Sequence, residues 1–191
     1  MKIAFRYSWI YDQMWKTSLN NGSMMPDKYP SPKEIQKYMG LQKIKWAKCE
    51  SKILLEISKI TGLDWQESQI YCYVVGAGRA FSDPLTVPMK PDKNFIDTLV
   101  HELIHQVQIQ NAKRLSKSYA ALKAKYSKES IITINHIILF AVYMKLYLKL
   151  FGKKRLQKNR PMKNQEYVRA WEIVEREGFE NILKEFLIDP N

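Results

Sequence analysis

Histidine is scarce in this 191-residue chain, which holds three, and cysteine is scarcer still, with Cys49 and Cys72 alone. Two thiols cannot staple a small disulfide scaffold or close a four-cysteine zinc ribbon. They suit a reducing compartment, so a cytoplasmic location is expected. No long apolar run precedes a small-residue cleavage site near the N-terminus (Met1-Lys2-Ile3-Ala4-Phe5-Arg6-Tyr7), and no signal peptide is expected. No internal repeat and no clear linker is visible, which points to one domain over 1–191. A hydrophobic share of 46% and five tryptophans exclude a disordered chain.

Acidic residues are also few, 19 against 31 Lys and Arg, for a net charge of +12. Such a surface suits nucleic acid, anionic membrane or acidic peptides. The lysines are scattered, however, and no nucleic-acid motif with interleaved aromatics appears. The longest apolar stretch, Ile131–Phe151, is broken by Thr133, Asn135, His136, Lys145 and Lys149. A lysine inside a membrane span costs about 2.5–3.5 kcal/mol, so this stretch reads as a buried helix and no span is expected.

Against this background, two of the three histidines stand four apart around a glutamate: His101-Glu102-Leu103-Ile104-His105. On a helix this spacing puts both imidazoles on one face, one turn apart, where they can bind a single Zn²⁺. Glu102 lies close enough to take a proton from water on that metal. Asp92 is the expected N-cap of a motif helix of roughly twenty residues. Phe95, Ile96, Leu99, Val100, Leu103, Ile104, Val107 and Ile109 make that helix apolar on nearly every side, as in a protein interior. Three polar groups placed there cost several kcal/mol unless paired, and a metal pairs them together.

A catalytic zinc takes three protein ligands and keeps one position open. His136, thirty-one residues after His105, is the remaining imidazole. It lies in the second apolar segment, Glu129–Phe151, and is the expected third ligand. Glu129 is its competitor, although a carboxylate in a first helical turn is favoured without any metal. Tyr143, seven residues after His136 and on the same helix face, is the phenol expected to stabilise an oxyanion.

The pentapeptide at 101–105 on its helix, followed by a later helical ligand, resembles the zincin metallopeptidases over residues 68–145. The resemblance implies a small sheet whose edge strand holds extended substrate and packs on the motif helix. The metzincin branch requires glycine at 108 and histidine at 111, where this chain has Gln108 and Asn111. A gluzincin pattern would use Glu129. SprT-like proteases use three histidines, but with a closer third one and often a zinc ribbon. The architecture is therefore expected without a branch.

Around the motif, Lys2–Trp9 alternates like a strand and Asn20–Pro30 reads as a loop. Ser31-Pro32-Lys33-Glu34 is a capping box with proline at the first helical position. It should start a long helix running to Thr61, stopped by Gly62 and bent at Gly40. Ile35, Tyr38, Met39, Ile53, Leu54 and Ile57 form its buried side. Gln69–Val75 is the best strand, followed by a turn at Gly76-Ala77-Gly78. Leu85–Met89 is a second strand, which its prolines confine to an edge or a sheet end. Helices are expected at 116–126, 129–151, 164–177 and 179–187. The fold class is thus α+β, mostly helical. The expected activity is peptide hydrolysis on a peptide or protein substrate, with zinc as cofactor. The alternative is a basic nucleic-acid-binding protein with a structural or inactive zinc site.

Overall fold

The computed structural model describes residues 1–21, 28–90 and 95–188. Helices dominate, joined by a four-stranded mixed sheet, so the α+β composition expected from the sequence is present. The chain forms two compact units: Met1–Lys52 with Glu67–Gln106, and Ile53–Gln66 with Val107–Asn191.

The first unit holds the sheet: β1 (Lys2–Arg6), β2 (Gln69–Val75), β3 (Phe81–Ser82) and β4 (Leu85–Pro88), in the order β1-β2-β4-β3. Strand β2 pairs in parallel with β1 and with β4, while β3 and β4 pair antiparallel. Along β2 the side chains of Ile70, Cys72 and Val74 are buried and those of Gln69 and Tyr71 exposed, the two-residue period of a strand with one face on a core. Of the two places its prolines allow Leu85–Met89, the sheet end holds and the edge, with its proposed role of binding substrate, does not: β4 is internal, with the two-residue β3 outside it. Its proline is tolerated because β3 reaches only Leu85 and Thr86, whereas Pro88 is the last residue of β4. The missing N–H therefore falls at a sheet end.

Helix α1 (Trp9–Asn21) was not legible in the sequence. It is pinned from inside by Asp12, whose buried carboxylate accepts from the hydroxyls of Tyr7 (3.2 Å) and Tyr29 (2.6 Å) and from the Gly76 amide (2.9 Å). Three donors offset the cost of removing this group from water. The Trp15 indole adds a bond to the Ala77 carbonyl at 2.8 Å. Helix α2 (Pro32–Ala47) opens on the expected capping box, with both Ser31–Glu34 bonds formed. It packs against β1 and β2 and buries Ile35 and Trp46; Tyr38 and Met39 are only half-buried. The single long helix expected here is two: α2 stops at Ala47 and α3 (Glu50–Thr61) follows, while Gly40 stays within α2. Gly62 ends α3 at φ 65°, a left-handed conformation natural to glycine. Helix α4 (Phe95–Gln110) carries the histidine motif. The expected N-cap Asp92, and most of the loop expected over Asn20–Pro30, lie outside the described residues.

The second unit is helical: α5 (Ala112–Lys125), α6 (Ile131–Leu150), α7 (Lys153–Lys158), α8 (Gln165–Glu177) and α9 (Phe179–Leu183), which runs into a π-helical turn at Lys184–Ile188. Helix α6 starts at the Ser130 N-cap, whose hydroxyl accepts from the Thr133 amide at 3.1 Å. It is apolar on all sides because α7, α8 and α9 pack around it. It is long and apolar enough to cross a membrane, but 72% of that stretch is buried within the protein. Helix α8 shows the opposite pattern, burying Ala170, Trp171, Ile173 and Val174 along one stripe.

Candidate metal centre

Helix α4 places Thr98, His101, Glu102 and His105 in one row, because residues three and four apart share a helical face. The rings of His101 and His105 lie 5.2 Å apart, centre to centre, at 73° to each other. Both are half-buried, whereas Phe95, Leu99, Val100, Leu103, Ile104 and Val107 behind them are fully buried. That apolar side fixes the rotation of α4. Gln106 ties the helix to the β3–β4 hairpin by donating its side-chain amide to the Ser82 carbonyl. Ile109, expected to be buried, is exposed at the end of the helix.

Glu102 is buried, and its carboxylate takes no hydrogen bond from a described residue. Burial raises its pKa to about 7, and the Lys90 ammonium acts in the opposite direction. Its charge also reaches Cys72 on β2, whose thiol is pushed up by burial first and by Glu102 second. A buried carboxylate without a protein donor is costly, and a water molecule or a protonated form relieves that cost.

In the second unit, His136 is buried on α6. Its Nδ1 lies 2.7 Å from the Ile132 carbonyl, which can only accept, so Nδ1 carries the proton. This orientation through a backbone carbonyl is the usual support of a metal-binding imidazole. Burial lowers the His136 pKa, against opposing effects of the Ile132 carbonyl and Glu166, and so favours the neutral ring that a metal needs. Tyr167 of α8 stacks on the ring at 4.1 Å.

One potential ligand atom each from His101, His105 and His136 lies within 4.8 Å of the others. A tetrahedral zinc with bonds of about 2.0–2.1 Å requires ligand nitrogens about 3.3 Å apart. His101, His105 and His136 are the three histidines expected from the sequence, and as a group they could hold a metal ion.

The other two expected residues lie elsewhere. Glu129 is outside that group and precedes the N-cap of α6. Its carboxylate is bound by Arg169 at 2.6 Å and 3.0 Å, and this pairing holds its pKa below the usual carboxylate range. Tyr143 is buried two turns along α6 from His136. It stacks on Tyr147 at 4.0 Å and meets Trp171 edge-on at 6.4 Å. Two turns of helix amount to about 10 Å. Lys90 and Thr98 carried no sequence signal of their own, although Thr98 stands one turn before Glu102.

No protein-family model, curated protein or solved structure matches this chain.

Proposed function

We propose that this protein is a zinc-dependent metallopeptidase of zincin-like architecture, with His101, His105 and His136 as ligands and Glu102 as general base. The observation that carries the reading is the presence of three imidazole donors within 4.8 Å of one another and, beside two of them on α4, a buried carboxylate that takes no hydrogen bond from a described residue. A structural site has no use for such a carboxylate and is usually closed by a fourth protein ligand. When bound, zinc supplies Lewis acidity: it acidifies water and polarises a carbonyl. Glu102 would accept a proton from that water and return it to the leaving amine. Tyr143 is given no step, since its ring packs in the aromatic stack of α6.

Metal content tests the reading. Demetallated protein, exposed to zinc at neutral pH and desalted, should retain about one zinc per chain. His101→Ala, His105→Ala and His136→Ala should each lose it, whereas Glu129→Ala should keep it. Absence of zinc uptake by the wild type overturns the proposal. Zinc lost in Glu129→Ala but kept in His136→Ala would transfer the third ligand to the glutamate.

A further inference from the structure

Just past β4, the Lys90 ammonium bonds to the Thr98 hydroxyl at 3.1 Å. The Lys90 backbone is fixed as well: its carbonyl accepts from the Tyr38 hydroxyl at 3.0 Å, and its amide lies 3.3 Å from the same oxygen. The residue is exposed to solvent, yet its ammonium makes no ion pair among the described residues. An ammonium has three N–H donors, and Thr98 occupies one of them. Thr98 and Glu102 are four apart on α4, so the cation is held about 6 Å along the helix from the level of the carboxylate. An extended peptide advances about 3.3–3.6 Å per residue. Along the helix axis, the offset between Thr98 and Glu102 is therefore the length of about two extended residues.

We propose that Lys90, held by Thr98, is a carboxylate-binding subsite, and that the peptides this protein takes present a free carboxylate within two residues of the bond it cuts. The inference rests on the peptidase reading above. The carboxylate has two sources, the C-terminus of a peptide or an Asp or Glu side chain. Both offer the same acceptor to a lysine whose ammonium makes no ion pair among the described residues, although it feels the charge of Glu102. Charge-assisted hydrogen bonds of this kind change binding by about 10–100-fold.

The test uses the full zinc-loaded chain and three matched peptide sets: neutral with a free C-terminus, neutral and amidated, and amidated with one internal Asp. The free acids or the Asp peptides should be cleaved about 10–100-fold better than the neutral amides, chiefly through KM. Which set prevails identifies an end-cleaving or an acid-directed enzyme. Lys90→Met should cost the acids about 10–100-fold more than the amides, and Lys90→Arg should retain the preference. Binding of an N-acetyl dipeptide acid and its amide, measured by calorimetry, provides the same comparison without turnover. Equal treatment of acids and amides by the wild type overturns the subsite. An equal loss on all three sets in Lys90→Met also overturns it, leaving the lysine as a neighbour of Glu102 only. Failure to bind zinc overturns the peptidase reading instead, and the binding comparison still decides the subsite.

Discussion

On the proposed reading the chemistry depends on Glu102, which is buried, takes no hydrogen bond from a described residue and is pushed by burial to a pKa of about 7. Glu102→Gln preserves its shape and removes the base. That variant should retain zinc and fold normally while losing about 10²–10⁴-fold in turnover. Zinc content and peptide-library cleavage, measured on one preparation, provide the check; loss of the metal would make Glu102 a ligand or a support. At this scale the site was largely legible. The spacing of His101 and His105 fixes their common face whatever surrounds them, and His136 was the one imidazole left. The surroundings of Glu129, the competitor, and of Tyr143 were not legible, because sequence gives residue type without direction. Arg169 claims the first, and Tyr147 and Trp171 surround the second. Lys90 is one of 31 basic residues, and what distinguishes it, its bond to Thr98 and its charge coupling to Glu102, is visible only in the structure.

Among the elements, the end of β2 depends on a glycine. A β-carbon built on Gly76 would lie 2.5 Å from the Tyr29 ring, whose hydroxyl also meets the Gly76 amide and Asp12. Gly76→Ala should push that ring away and destabilise the protein by about 1–3 kcal/mol, the usual cost of overpacking. Denaturant melts provide the measure, and an unchanged midpoint would show that the ring yields freely. The same contacts explain why α1 was missed. Trp9, Ile10 and Met14 point to solvent, so its apolar residues do not mark its buried face. What anchors it is polar: the Asp12 carboxylate and the Trp15 indole. Helix α2 was legible because its start is encoded locally in Ser31, Pro32 and Glu34, and β2 because its alternation is regular. The break at Lys48–Cys49 has no glycine or proline to announce it, and the interior place of β4 depends on β3, too short at two residues to leave a pattern.

For the molecule as a whole, a ligand that binds only the folded chain adds stability by mass action. Zinc at a thousand times its dissociation constant contributes about 4 kcal/mol. At this chain length that corresponds to a rise of about 10 °C in melting temperature. Thermal melts with and without zinc should show the rise in wild type and in Lys90→Met, and its loss in His101→Ala. An equal rise in all three would place the metal elsewhere. The class of the fold was legible from composition and periodicity, whereas the division into two units was not, since no linker separates them and the boundary runs through α3 and α4. The scarcity of histidine has a consequence for observation. All three imidazoles of the chain belong to one cluster, so the molecule has no bystander histidine. Every imidazole resonance in a proton spectrum is a reporter of the candidate centre, and arrival of a metal there would be visible without assigning a single peak to a residue.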